Sequence, residues 1–511
     1  MTPDTIALQP DACYLALKAR DARFDGCFFT GVTSTGIYCR PVCKVRTPKR
    51  ENCRFFGLAA QAESAGFRPC LRCRPELAPG SLVWSTQDAG RILALQAARL
   101  LDEPEAWDHE PPTVAALAHR LGVSDRHLRR LFETQLGVTP MQYLQTRRLL
   151  TAKQLLADTA LPVAEVALAS GFASVRRFNT AFAEHYGLNP SALRRAASSS
   201  PTQQTTSATT VRLAFRPPYD IEAMLGFFRL RQLPGVEWVS APGAPAAWGR
   251  TIALESGGQR WVGWVMARFD AQQHAVVAEV ADTLRPVLPL VIRRLRATLD
   301  LDADPKAINA VLHASFPLGD GLRVPGSMDG FELAVRAVLG QQITVAAART
   351  LTQRLVAAGG EPVTTPHPEL NRLFPTASAL LTLGASALGE LGIVRQRQAA
   401  ILALAQAVSQ QTLVLHGGAP VHETVDALKR LPGIGDWTAQ YIAMRALRWP
   451  DAFPAADVAL HAALHIPKGR TAARDAEARA AVWKPWRSYA VIRAWTAGTS
   501  SPATPSKEQP T

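Results

Sequence analysis

Residues 431–457, LPGIGDWTAQYIAMRALRWPDAFPAAD, constrain the fold of this chain more than any other stretch. Leu431, Pro432, Gly433, Ile434 and Gly435 form a turn too tight for most side chains, and Gly433 and Gly435 permit positive φ and close backbone approach. A helix starting after Gly435 presents unbonded N–H groups outward, which suits an anion such as a phosphate. Trp437 and Tyr441 lie four residues apart on that helix and share a face, and Asp457 follows sixteen residues later. An aromatic wall and a carboxylate can therefore share a cleft. LPGIG alone also reads as an ordinary helix C-cap and turn. The weight rests on the ordered set of hairpin, Trp437, Tyr441, Asp457 and Trp495.

At 511 residues the chain is long enough for three to five domains, so a single function is not expected. The formal charge of +14, spread along the chain, implies a polyanionic partner, nucleic acid first. Cys13 to Arg23 mixes apolar and charged residues, unlike a secretion signal. LRPVLPLVIRRL is too short and too interrupted by proline and arginine to span a bilayer. A cytoplasmic protein with reduced thiols and no membrane attachment is expected. All seven cysteines precede residue 74, and their odd number points to metal or reactive chemistry rather than disulfides.

Four of those cysteines form two pairs, Cys39 with Cys43 and Cys70 with Cys73, at tetrahedral zinc spacing. A module of about 80 residues with few large apolar side chains needs such a staple. Cys13, Cys27 and Cys53 fall outside the pattern and read as packed or free thiols. FFTGVTSTGIYCRPVCKVRTPKRENCRFFG, followed by AGFRPCLRCRPE, resembles the N-terminal domain of the Ada family of alkylation sensors over residues 1–80. The resemblance implies one Zn²⁺ held by all four cysteines, with Cys39 accepting a methyl group from a methylphosphotriester in DNA. Zinc keeps a thiol deprotonated at neutral pH, so a nucleophile exists without a general base. Methylating one thiolate removes negative charge facing the phosphate backbone, and DNA binding should strengthen. The bland alternative is a passive four-cysteine knuckle.

Over residues 85–196, TVAALAHRLGVSDRHLRRLFETQLG reads as helix, turn at Gly122, N-cap at Ser124, helix. LPVAEVALASGFASVRRFNTAFAEHYGLNP repeats the pattern with its turn at Gly171. The stretch is similar to the AraC-type DNA-binding domain, including the spacing of Phe178, Phe182 and Tyr186 and the closing GLNPSALRR. Two such units suggest two successive major-groove contacts. Arg126, Arg129 and Arg130 on the first recognition helix, and Arg176 and Arg177 on the second, are candidates for phosphates or guanine edges. Each arginine alone reads equally well as part of a solvated basic face.

SSSPTQQTTSATT marks a flexible linker at residues 197–210, which would let the halves move independently. Strand-like VRLAFRPP, WGRTIAL, WVGWVMARFD and HAVVAEV then give a mixed α/β region over 211–300, with Trp261 and Trp264 read as core. Residues 301–498 are almost wholly helical in pattern, and a disordered tail is expected at 499–511. LPGIGDWTAQYIAMRAL and WKPWRSYAVIRAW closely resemble the helix-hairpin-helix glycosylase superfamily, and within it the 3-methyladenine DNA glycosylase II family.

That resemblance implies an enzyme that extrudes a base and holds it by stacking on Trp437, Tyr441 and Trp495. Gly433, Ile434 and Gly435 would contact the DNA backbone, and either Gln341 or Gln342 would fill the space left by the base. Arg395 and Arg397 are available to phosphates. Bases alkylated at ring nitrogens, such as 3-methyladenine and 7-methylguanine, are cationic, and aromatic faces attract them. The same charge weakens the glycosidic bond, so no second carboxylate is needed. Asp457 would stabilise the oxocarbenium-like sugar and orient or deprotonate water. It fits equally well as the N-cap of VALHAAL.

Bifunctional relatives carry lysine where Trp437 stands, which implies a monofunctional enzyme here. Asp436 departs from the pattern by placing a negative charge at the hairpin, and Thr496 stands where some relatives have a second aromatic. Related enzymes hold a cation on the hairpin carbonyls, so the hairpin is a candidate cation site.

The expected protein is multidomain and mainly α with α+β parts: a zinc-stapled N-terminal domain, an AraC-type double helix-turn-helix, an α/β glycosylase N-domain and an all-α helix-hairpin-helix domain. It would sense and repair alkylation as a monomer on double-stranded DNA, both alkylated and promoter, with RNA polymerase as a further partner. No PCHR-type cysteine follows the DNA reader, so direct repair at guanine O6 is not expected. Two alternatives remain at this point: a regulator whose C-terminal half only binds DNA, and a metal- or redox-sensing activator using Cys39 and its partners.

Overall fold

In the structure, a computed structural model, residues 9–80, 89–103, 107, 112–159, 161–197 and 208–500 are described. The first module is a four-stranded sheet in the spatial order Cys53–Phe56, Phe29–Val32, Ile37–Cys39, Arg68–Pro69. The last two strands pair in parallel, Tyr38 opposite Pro69, and each ends at a cysteine of the tetrad or immediately before one. The Cys70 N–H donates to the Tyr38 carbonyl across this pair at 3.0 Å. Its apolar core is split into two clusters, Phe29, Tyr38, Ala62 and Phe67 in one and Cys13, Ala16 and Phe28 in the other, each too small to carry a domain without the cysteine staple.

Helices Ala89–Asp102, Val114–Arg120, Asp125–Leu136, Pro140–Asp158, Val163–Ala169, Val175–Tyr186 and Pro190–Ala197 follow. Hydroxyls of Thr113, Ser124, Thr139 and Ser174 accept a backbone N–H in the first turn of the helix each precedes. Gly122 and Gly171 adopt φ of 66° and 81° at the two turns. Leu128, Phe132 and Leu136 on one recognition helix, and Phe178, Phe182 and Tyr186 on the other, face inward.

A five-stranded antiparallel sheet comes next, in the order Ala208–Ala214, Ala275–Ala281, Gln259–Asp270, Ala247–Ser256, Glu237–Val239. The last strand escapes sequence reading because its three residues are too few to show alternation. Trp264 is buried, as expected of core, and Trp261 packs half-buried against the same cluster. The expected linker lies outside the described residues except where the Pro190–Ala197 helix ends and the Ala208–Ala214 strand begins. The Arg487–Ser500 helix runs two residues into the expected tail, and residues beyond it lie outside the described ones.

Helices from Gly330 onward share one large core. The hairpin joins Val421–Lys429 to Asp436–Arg445, and the Val458–Ala463 and Arg487–Ser500 helices close on the latter. Independent motion of the halves, expected from the linker, is not what the packing provides. Arg216, wholly buried, donates from Nε to the Asp25 carbonyl at 2.7 Å and from Nη1 to the Asp302 and Ala303 carbonyls at 2.9 and 3.1 Å. Its Nη2 donates to the carbonyls of Pro79 and Gly80. The Gly80 N–H in turn donates to Asp302 Oδ1 at 2.6 Å. Low linker complexity says only that the linker is unstructured on its own, and an apolar and polar interface elsewhere in the chain overrides it.

Candidate functional site

The Asp436–Arg445 helix projects Trp437 and Tyr441 from successive turns, so their rings stack at 5.4 Å between centroids and 11° between planes. Trp495, on the Arg487–Ser500 helix, lies 6.4 Å from the Tyr441 ring and is tilted by 42°. All three rings are partly exposed, and together they form a cage open on one side. Asp457, only 8% exposed, sits at its edge. Its Oδ1 accepts the Leu460 N–H at 2.6 Å and the Trp495 indole N–H at 3.0 Å, while Oδ2 accepts the Trp437 indole N–H at 2.8 Å. The N-cap reading of Asp457 holds: the carboxylate caps the Val458–Ala463 helix, and it is also gripped by two walls of the cage. Two donors occupy Oδ1, which leaves the spare lone pair on Oδ2.

Behind the cage Arg445, 6% exposed, donates from Nη1 to the Tyr441 hydroxyl at 2.6 Å. Burial would raise the Tyr441 phenol, but Arg445 and Arg231 outweigh it and hold the phenol below its ordinary range. Sequence reading misses Arg445 because nothing in an arginine at helical spacing distinguishes an inward guanidinium from a solvated one. Thr496 is exposed, its hydroxyl donating to the Ile492 carbonyl at 2.9 Å, so it adds no wall to the cage.

At the hairpin Gly433 has φ of 73°, and a Cβ there would meet Ala400 Cβ and the Gln396 carbonyl at 3.3 Å. Gly435 has an ordinary φ of −90°, so its use is open space rather than positive φ: a Cβ there meets nothing. No side chain caps the helix that follows, so its first N–H groups face outward. Ile434 is buried in the helical core. Asp436, a departure that would repel phosphate, is paired with Lys429 at 3.0 Å. Gln341 does not point away from the protein: its Nε2 donates to the Gly433 carbonyl and to Thr438 Oγ1, each at 2.9 Å. Gln342 beside it is exposed and adopts φ of 55°. Arg397 is spent on the Gln341 carbonyl, whereas Arg395 is exposed. The Gly433 carbonyl, part of the candidate cation site, accepts the Gln341 amide and keeps a second lone pair.

The four sulfurs of Cys39, Cys43, Cys70 and Cys73 lie within 4.8 Å of one another, the spacing of a tetrahedral thiolate site. Hydrogen bonds among them push the Cys43 and Cys70 thiols down and the Cys39 and Cys73 thiols up. The Arg40 N–H donates to Cys73 Sγ at 3.3 Å, and its guanidinium is held by Asp25. The residues present fit one zinc ion. Cys73 is the most exposed of the four, Cys39 being 6% exposed.

Arg126, Arg129 and Arg130, and Arg176 and Arg177, are all exposed on the faces opposite the buried aromatic and leucine residues of their helices. Among the described residues no helix is long and apolar enough to cross a membrane.

Four family descriptions match in chain order. They are the metal binding domain of Ada over residues 12–76, a helix-turn-helix domain over 117–196, the AlkA N-terminal domain over 210–329 and the HhH-GPD superfamily base excision DNA repair protein over 335–488. A probable bifunctional transcriptional activator/DNA repair enzyme AlkA of Mycobacterium tuberculosis (strain CDC 1551 / Oshkosh) is 38% identical over 497 residues, spanning 95% of this chain and 96% of that protein. DNA-3-methyladenine glycosylase 2 of Escherichia coli K12 is 35% identical over 283 residues, 55% of this chain and 95% of that one. The bifunctional transcriptional activator/DNA repair enzyme Ada of Escherichia coli K12 is 39% identical over 141 residues, 28% of this chain and 37% of that one.

Proposed function

The chain belongs to the AlkA family of bifunctional transcriptional activator/DNA repair proteins, and from that premise we propose that it releases alkylated bases from DNA at Asp457 and senses methylphosphotriesters at Cys39. The C-terminal half is homologous to DNA-3-methyladenine glycosylases, and the N-terminal half carries one zinc site and a DNA reader. The observation that carries the reading is the single carboxylate held by two indoles of the cage that would hold the base.

A flipped base of the 3-methyladenine or 7-methylguanine type enters between Trp437, Tyr441 and Trp495. As its glycosidic bond breaks, the sugar gains positive charge, and the open lone pair of Asp457 Oδ2 stabilises it or directs water at the anomeric carbon. The base leaves without protonation, its charge cancelled by the bond electrons. Trp437 supplies no amine, so the reaction stops at an abasic site without strand cleavage. Gln342 fills the vacated space, because Gln341 is tied to the hairpin. Gly433 and Gly435 bring N–H groups to the phosphates, while Ile434, whose own N–H donates to the Leu431 carbonyl at 3.3 Å, anchors the hairpin in the core.

At the other end, the Cys39 sulfur attacks the methyl carbon of a phosphotriester; a zinc ion held by Cys39, Cys43, Cys70 and Cys73 would keep that sulfur deprotonated. The C–O bond breaks, an S–CH₃ bond forms, and a phosphodiester anion leaves. Methylated protein then binds promoter DNA through Arg126, Arg129, Arg130, Arg176 and Arg177 and engages RNA polymerase. The reading gives a monomeric, cytoplasmic, nucleoid-associated protein with domains at 1–80, 85–196, 211–300 and 301–498. Incubation with methylated duplex DNA tests both chemistries at once: free methylated base should appear in the supernatant, and peptide mapping should place one methyl group on Cys39. Methyl on Cys73, the more exposed thiol, would move the acceptor.

A further inference from the structure

The cage of Trp437, Tyr441 and Trp495 is backed by an uncompensated positive charge. Each of the three nitrogens of Arg445 donates to a neutral oxygen: the Pro325 carbonyl at 2.8 Å, the Gly326 carbonyl at 3.1 Å and the Tyr441 hydroxyl at 2.6 Å. Among the described residues no carboxylate forms an ion pair with it. Glu237 and Glu332, the buried acids nearby, pair instead with Arg250 and Arg336. The guanidinium carbon of Arg445 lies 5.4 Å from the Tyr441 ring centroid and 4.8 Å from that of Phe227. Arg231 adds a second cation, 3.7 Å from the Phe227 ring.

We propose that Arg445 is a specificity-determining residue, which lowers the cage's preference for cationic bases and so admits neutral damaged purines. The inference rests on the glycosylase reading above. A base stacked on Tyr441 lies within several ångströms of this guanidinium, which is itself buried and little screened by water. Repulsion between two unit charges there is comparable with the attraction of an aromatic face for a cation. The cage alone would be a cation trap; the cage with Arg445 is close to neutral in its choice. The lowered Tyr441 phenol reports the same positive potential at the ring. Because the Tyr441 oxygen accepts from Arg445, its O–H points elsewhere and is available as a donor. A ring carbonyl such as the O6 of hypoxanthine is the acceptor it suits.

The test measures kcat/KM for excision of 7-methylguanine, a cation, and of hypoxanthine, a neutral purine, in the same duplex context. The full-length protein is compared with Arg445→Met and Arg445→Lys. The ratio of 7-methylguanine to hypoxanthine should rise about tenfold in Arg445→Met and stay near the unaltered value in Arg445→Lys, which keeps the charge. Both substrates meet the same preparation, so partial loss of fold cancels in the ratio. If the methionine variant does not fold, Arg445→Gln, which retains a donor for the Pro325 and Gly326 carbonyls, takes its place with the same expectation. A ratio unchanged or lowered on loss of the charge overturns the inference while leaving the glycosylase reading intact. No release of either base by the unaltered chain overturns both.

Discussion

The indole N–H of Trp437 donates to Oδ2 of Asp457 over 2.8 Å, across twenty residues of sequence. In the proposed reaction one ring therefore both walls the base pocket and aims the carboxylate. Trp437→Phe keeps a stacking face but removes the donor. A charge-assisted hydrogen bond contributes about 1.5–3 kcal/mol, so base release should fall roughly ten- to a hundredfold in kcat with a smaller change in KM. Single-turnover kinetics on alkylated duplex separates the two. An effect confined to KM would mean that Trp437 only stacks.

Arg216 joins five backbone carbonyls drawn from both halves of the chain. Arg216→Ala leaves these acceptors buried and should cost more than about 3 kcal/mol. The urea midpoint of the zinc module, followed by fluorescence, should drop together with that of the glycosylase half. Unchanged midpoints would restore the picture of independent halves.

The zinc module has only two small apolar clusters, Phe29, Tyr38, Ala62 and Phe67 in one and Cys13, Ala16 and Phe28 in the other, so its fold depends on the metal. Chelation, or Cys70→Ala, should unfold residues 9–80 first, with one zinc released per chain. Colorimetric zinc assay alongside hydrogen exchange would detect it. Full protection of this segment after zinc loss would contradict the assignment.

Asp302 binds the Gly80 N–H and Arg296 at the interface of the two halves. Burial pushes its carboxyl up, but Arg296 and the Gly80 N–H outweigh that and bring it to about 2. The folded value is below the ordinary carboxylate value of about 4. Its stabilising contribution is therefore complete above about pH 4 and is lost as pH falls towards 2. The side chain is half-exposed, so solvent screens part of the effect. Denaturant midpoints of the unaltered chain should converge with those of Asp302→Asn over that window. Curves that stay parallel to pH 2 would exclude Asp302 from the acid response.

Local patterns were legible wherever one element carries its own signal. Cys39, Cys43, Cys70 and Cys73 announce themselves by spacing, and the parallel pairing of Tyr38 with Pro69 then brings the two pairs together. Ser124 and Ser174 mark helix starts because a hydroxyl there meets a free N–H. Trp437 and Tyr441 stack as helical periodicity requires. What remained illegible depends on partners far along the chain. Gln341 and Gln342 are identical letters, and only the approach of Gly433 and Thr438 separates one anchored amide from one exposed. Arg216 and Arg445 look like any arginine of a basic protein, yet both are buried among carbonyls.

Asp457 caps a helix and, in the proposed reaction, carries the chemistry, and one substitution separates the two. Asparagine caps helices as well as aspartate does, so Asp457→Asn should keep the Leu460 N–H bonded and the fold intact while removing the charge that faces the sugar. The most direct measurement is the release of free methylated base from alkylated duplex DNA by the unaltered chain and by Asp457→Asn, at equal DNA affinity. The account predicts release by the first and a loss on the order of a thousandfold by the second. Equal release by both, or none by the unaltered chain, would contradict it.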